Sequence, residues 1–230
     1  MDRDGTAQAL RAGFGGEVIL PSDVGYDEAR TVFNGMIDRR PAAIARCASV
    51  ADVVAAVEFA RDRGLVVAVR CGGHSVAGSS VCDDGVLIDL SGLKSIQVDP
   101  EAKTARAGGG VLWSEFDAAT QEHALHTPGG RVSTTGVGGF ATGGGYGWTS
   151  SKHGLTSDNV ISAEVVLADG RVVRASAEEN QDLLWGLRGG GGNFGIVTEF
   201  EFKLHELGPN VIAGLTMWPV DQASSVLRAW

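Results

Sequence analysis

The sequence predicts an α+β fold of two mixed sheets, a small one built on a strand–helix–strand unit and a larger one built from short strands. Three observations carry this. Residues 42–69 read strand, helix, strand within about 30 residues, the spacing of a unit with parallel strands. Residues 86–107 break into short apolar runs at Gly92 and Asp99-Pro100, the pattern of a meander. Asp169-Gly170 stands between the runs 161–167 and 171–175, a strong hairpin signal.

Taken in order, residues 6–11 form a short helix ended by the glycines around Phe14, and 15–21 a strand stopped by Pro21. Ala29, Val32, Phe33 and Met36 recur at helical spacing and predict a helix over 27–36. Ala42–Arg46 is a strand; Ser49 with Asp52 three residues on opens a helix that Gly64 closes. Val66–Val69 is the next strand. Helix returns over 111–124, and a long glycine loop runs from 127 to 147. After the hairpin come a short helix at 182–187, a strand at 196–204, a second strand at 211–218 and an amphipathic helix from 220. The expected organisation is an N-terminal segment, 1–35, a main domain, 36–207, and the beginning of a further domain, 208–230.

Composition removes several function classes. With 230 residues and 43% hydrophobic content the chain can bury a sizeable core. A net charge of −9 argues against nucleic acid, whose binding rests on basic patches. No apolar run approaches the roughly 18 residues of a membrane span, so no membrane partner is expected. Cys47, Cys71 and Cys82 have no CxxC spacing, which speaks against a disulfide framework or a metal site and for a reducing, cytoplasmic setting. Glycine is the outlier: 34 residues, about twice the usual share of roughly 7%.

The glycines cluster at 72–78, 108–110, 129–147 and 189–195, and three readings compete for them. Gly73-His74-Ser75-Val76-Ala77 approaches a nucleophile elbow, but residues 78–85 make a poor helix, and pairing Asp158 with His205 has no support. Gly136-Val137-Gly138-Gly139-Phe140-Ala141 matches a dinucleotide fingerprint, but no buried strand precedes it and Gly143-Gly144-Gly145 would break the helix it should open. The third reading is an extended nucleotide-like cofactor held by backbone N–H groups of several loops, which suits an acidic chain.

Four motifs in order decide between them: Arg70-Cys71-Gly72-Gly73-His74-Ser75; Ser133-Thr134-Thr135-Gly136-Val137-Gly138-Gly139 running into Gly143–Trp148; Gly154–Val160; and Trp185–Gly195. Together they resemble the FAD-linked oxidases of the vanillyl-alcohol-oxidase and berberine-bridge-enzyme type, with the PCMH-type FAD-binding domain, which includes 6-hydroxynicotine-oxidase-like proteins. The resemblance covers nearly the whole chain up to Phe200. It implies two α/β subdomains with FAD between them.

By that resemblance His74 carries a covalent 8α-histidyl bond to FAD, and Arg70, Cys71, Gly72, Gly73, Ser75 and Gly78 wrap the pyrophosphate. The second loop contributes Thr135, Gly138, Gly139, Thr142, Gly144, Gly145 and Tyr146, and Asn159, Val160, Ile196 and Val197 complete the site. Val132 stands where many relatives carry a second flavin-bonding cysteine, so a single covalent bond is expected. Thr135 stands where oxygen access is governed. His126 departs from the pattern and is read as a surface residue. The implied activity is an FAD-dependent oxidase that takes a hydride from an alcohol or amine carbon of a small-molecule substrate and passes electrons to O2. No catalytic base is assigned, Tyr146 included. The alternatives are a non-catalytic flavin-binding domain and a serine hydrolase using Ser75.

Overall fold

The computed structural model describes residues 10–230, and the helix expected over 6–11 lies largely outside them. The first layer contains β1 (Glu17–Ile19), α1 (Tyr26–Ala29), β2 (Ala43–Arg46), α2 (Val50–Asp62), β3 (Val67–Arg70) and β4 (Val86–Asp89). Its four strands run in the order β1-β2-β4-β3, with β1 antiparallel to β2 and β4 parallel to both its neighbours.

The start of α2 follows from its sequence. Ser49 Oγ accepts from Asp52 N at 3.2 Å, and Asp52 Oδ2 accepts from Ser49 N at 3.0 Å, a reciprocal capping box. Val53, Ala56, Val57 and Ala60 then face the sheet and are buried with Ala43, Ala45, Val86 and Ile88. β4 corrects the expected meander: it belongs to this sheet and not to the next. Val86, Leu87 and Ile88 are each 0% exposed, and an unbroken apolar run covered on both faces suits a central parallel strand.

The helix expected over 27–36 is confined to α1. Beyond Arg30 the chain leaves the helix and bonds to the end of β3 and to the loop after it. Arg70 Nη1 donates to Thr31 O at 2.9 Å, and Phe33 N donates to Gly73 O at 3.1 Å. Asn34 Nδ2 donates to Val76 O at 2.9 Å.

The second layer comprises β5 (Ile96–Asp99), β6 (Thr104–Gly108), α3 (Trp113–Gln121), β7 (Leu125–His126), α4 (Val137–Thr142), α5 (Ser150–His153), β8 (Val160–Val166), β9 (Val172–Ala175), α6 (Gln181–Leu187), β10 (Ile196–Lys203) and β11 (His205–Glu206), and a helix that buries none of its residues, α7 (Ala223–Ala229), follows. Five strands form one sheet, β5-β6-β10-β8-β9, and every pairing in it is antiparallel, so the larger sheet is not mixed. Its core gathers Trp113, Phe116, Phe200 and Phe202, with Trp113 set edge-on to Phe116 and to Phe140 at 5.5 Å.

Gly108–Gly110, expected among the cofactor loops, stand where the two sheets meet and pack on backbone there. A Cβ on Gly110 would lie 1.7 Å from Leu90 O, and one on Gly109 would lie 2.3 Å from Val197 O. The strand expected at 211–218 does not form. Residues 208–222 find no pairing edge among the described residues, and an extended segment without a ladder partner gains nothing from being a strand.

Candidate functional site

The parallel strands β2, β4 and β3 end together, and their carboxyl ends open on a cleft. That end of a parallel sheet is where ligands of such folds bind. The cleft has a volume of about 870 Å³, within the range of cofactor sites, roughly 300–1,000 Å³. Arg46, Arg70 and Asp89, the last residues of the three strands, line it, and so do Gly72, Gly73, His74, Phe33 and Thr134.

One buried ion pair fixes the floor. Arg70 Nη2 and Asp89 Oδ2 are 2.8 Å apart, with side chains 11% and 3% exposed. Burial pushes the Asp89 carboxyl up, but the Arg70 guanidinium and the Ser91 hydrogen bonds more than offset this, and the carboxyl sits below its usual range. Arg46 reaches Glu17 at 2.5 Å and Asp89 at 3.5 Å.

From this floor the chain turns through Gly72 and Gly73, the latter at φ +70°, a conformation that favours glycine. Here two glycine loops meet backbone to backbone. A Cβ on Gly72 would lie 2.3 Å from Gly136 N, and one on Gly136 would lie 2.3 Å from both Gly72 N and Cys71 Sγ. The second loop is braced in turn, because Gly129 and Gly130 pack on the Trp113 indole and Trp113 N donates to Thr135 O at 3.0 Å.

His74 projects where the two loops join. Its Nε2 lies 2.9 Å from Thr134 Oγ1, and its ring stacks on Phe33 with centroids 4.0 Å apart and planes 17° apart. Burial pushes the imidazole below its ordinary pKa, which keeps it neutral at neutral pH. Thr134 stands within the second motif, but the sequence reading gave it no role. Phe33 was read as part of a helix, and a loop threonine carries no signal of its own.

A family model described as an FAD binding domain matches residues 41–176. The chain belongs to this FAD-binding family. The (R)-6-hydroxynicotine oxidase of Paenarthrobacter nicotinovorans is 40% identical over 203 residues, covering 88% of this chain and 44% of that protein. Among solved structures, Physcomitrella patens BBE-like 1 superposes with a TM-score of 0.84 at 35% identity, over 87% of this chain and 44% of its own. The glucooligosaccharide oxidase of Acremonium strictum, described as carrying a 6-S-cysteinyl, 8α-N1-histidyl FAD, gives 0.82 at 37% identity, over 87% of this chain and 42% of its own. The chain thus spans less than half the length of these relatives, and its fold is that of their FAD-binding domain.

The residues present fit such a cofactor. Two loops whose backbones touch without side chains leave their polar groups available, and the paired guanidinium groups of Arg46 and Arg70 lie at the cleft. In this FAD-binding domain the structure brings Arg70, Cys71, Gly72, Gly73 and His74 together at the cleft. Thr135, Gly138 and Gly139 follow on the loop and helix α4 that cross behind Gly72. Thr142 Oγ1 turns back onto Gly138 O at 3.1 Å. Gly144 and Gly145 end α4 with positive φ.

Other site residues are occupied elsewhere. Gly78 packs on Ile37, and Ser75 Oγ lies 2.7 Å from Ser79 Oγ. Asn159 is buried with a saturated amide: Nδ2 donates to His153 O at 2.9 Å and Leu155 O at 2.8 Å, and Oδ1 lies 2.7 Å from His205 Nε2. Val160 O accepts from Arg188. Ile196 and Val197 bury their side chains in the cores of the first and second layers. The hydrolase reading fails here, since His205 serves Asn159 and Asp158 Oδ2 accepts from Leu155 N at 2.8 Å, which leaves Ser75 without a base.

His126 is a further correction, being 6% exposed and not a surface residue. It packs against His153 at 5.3 Å and against its ladder partner His205. Among the described residues no helix is long and apolar enough to cross a membrane.

Proposed function

We propose that the protein is an FAD-dependent oxidase that removes a hydride from an alcohol or amine carbon and passes the electrons to O2, with FAD bonded through His74 alone. The observation that carries this is the position of His74: a neutral imidazole, oriented by Thr134 and Phe33, at the junction of two glycine loops over the ends of parallel strands. The names of the relatives, hydroxynicotine and oligosaccharide oxidases, support the reaction class. The flavin, when bound, supplies the hydride acceptor and the route of electrons to oxygen.

The chain's own contribution is binding and orientation. Arg70 to Ser75 and Gly78 would hold the pyrophosphate through backbone groups, with the Arg70–Asp89 pair keeping that loop in place. Thr135, Gly138, Gly139, Thr142, Gly144, Gly145 and Tyr146 would border the ring system. Asn159, Val160, Ile196 and Val197 would contribute main chain, because their side chains are engaged. Val132 takes the place of the second bonding cysteine. Of the thiols, Cys47 and Cys82 are buried, and Cys71 Sγ lies 3.4 Å from Val111 O, so none substitutes for it.

A second reading, a flavin-binding domain without turnover, is favoured by one observation. Tyr146, the phenol on the second glycine loop, is 58% exposed and lies under the Arg131 guanidinium at 5.1 Å, an arrangement for packing and not for a base. Acid precipitation tests the cofactor claim: yellow colour stays in the pellet if FAD is bonded, and colour wholly in the supernatant rejects the bond. Peroxide release across a panel of alcohols and amines separates oxidase from binding domain.

A further inference from the structure

We infer that Arg131, backed by Tyr146 and Trp148, is a recognition site for a carboxylate carried by the substrate. The inference rests on the oxidase reading above, in which Tyr146 borders the flavin ring, and adds to it a substrate class.

The Arg131 guanidinium lies against two rings at once. Its carbon is 5.1 Å from the centre of the Tyr146 ring and 4.4 Å from that of Trp148, both within the range of cation–π attraction. A ring offers a guanidinium no oxygen acceptor, and the five N–H donors of Arg131 have no hydrogen-bond or ion-pair partner among the described residues. Other exposed arginines are not left this way. Arg40, Arg61, Arg171 and Arg174 each meet a carboxylate. In a chain with 28 acidic residues against 19 lysines and arginines, a guanidinium packed on rings and without a carboxylate is set apart for another anion.

Its place suits a substrate. Tyr146 and Trp148 are 58% and 78% exposed, and residues 131–134 form one exposed stretch that ends at Thr134, 2.9 Å from the His74 ring. Three residues span at most about 10 Å, so Arg131 is within reach of a small molecule seated beside the flavin. The two segments are also locked together. A Cβ on Gly147 would lie 2.2 Å from Gly129 O, and this close backbone approach holds the Arg131 loop against the segment that carries both rings.

The chemistry narrows the anion. Two parallel N–H groups of a guanidinium match the two oxygens of a carboxylate, and one positive charge matches a monoanion. The exposed ring faces would take the apolar skeleton next to it. The substrate is then an alcohol or amine that also bears a carboxylate.

The flavin-loaded full-length protein tests this with benzoate and benzamide, probes of one shape that differ in charge, titrated by calorimetry. Benzoate should bind at least tenfold more tightly, and Arg131→Gln should weaken benzoate about tenfold while leaving benzamide unmoved, the lower end for a hydrogen bond to a charged group. Arg131→Lys, which keeps the charge without the fork, should recover part of the loss. In peroxide release across the panel of alcohols and amines, members with a carboxylate should show the lower KM, and Arg131→Gln should raise that KM with kcat kept. Equal affinity for the two probes, or benzoate binding unchanged in Arg131→Gln, overturns the inference. So does a variant that weakens both probes alike and melts at a lower temperature, since Arg131 then only packs the loop. Calorimetry reads the preference without flavin, whereas protein that holds no flavin rejects the oxidase reading, so the two fail separately.

Discussion

The molecule holds histidines in two contrasting settings. His74 stands at the mouth of a cleft, with one nitrogen engaged by Thr134 and the other open. His126, His153 and His205 form a cluster where the short β7–β11 ladder meets the end of α5. His153 and His205 are stacked 3.9 Å apart at 15°. In the cluster His205 Nε2 meets Asn159, and His126 Nε2 is buried with no partner among the described residues. His205 is pushed down to about 4, first by burial and then by His153, Lys203, His126 and Lys152 around it. The same side chain is thus a candidate nucleophile in one place and neutral packing in the other. What separates them is whether the surroundings leave a lone pair open to a ligand.

The largest expected effect breaks the support of His74. Asp89→Ala leaves Arg70 buried without its carboxylate and should cost about 3–5 kcal/mol in denaturant unfolding, with loss of flavin retention. Next, Gly72→Ala places a methyl where the Gly136 backbone stands. It should cost about 1–3 kcal/mol by overpacking and separate the two loops, read as a drop in bound FAD.

Acid acts on the other histidines. An ordinary histidine titrates near 6.5, whereas His205 in the fold does so at about 4. Between these values the unfolded chain takes up a proton that the folded chain refuses. Stability is therefore complete above about 6.5 and falls as the pH drops toward 4. Thermal melts across that window should show the loss, and His205→Gln should lessen it without abolishing it, because burial also holds His126, His153 and His74 below their ordinary values. The smallest effect sharpens the His74 side: Phe33→Ala removes the stacked ring and should cost about 1 kcal/mol by chemical denaturation. A loss confined to flavin incorporation, with stability unchanged, would show that the stack orients His74 without stabilising the fold.

Much of the fold was legible because local rules were obeyed. The Ser49–Asp52 box and the Asp169-Gly170 turn each act within a few residues, so spacing alone located them. The length of α1 and the absence of a strand at 211–218 were not legible in the same way. Residues 31–34 have helical periodicity, but the glycine loop claims their backbone groups. Residues 211–218 have strand composition without an edge to pair with. The site was legible as a set of motifs, and His74 among them. Thr134 and Phe33 were not, because their importance lies in what they touch.

The sequence by itself determined the glycine loops, the histidine within the first of them and the FAD-binding family, since motif order and turn chemistry are written along the chain. Tertiary structure decided which glycines face a cleft and which seal the two sheets. It also decided which histidine keeps an open nitrogen. The physical reason is that close backbone approach, ring stacking and burial are set by residues distant in sequence, here 33, 74 and 134, and no local pattern records their meeting.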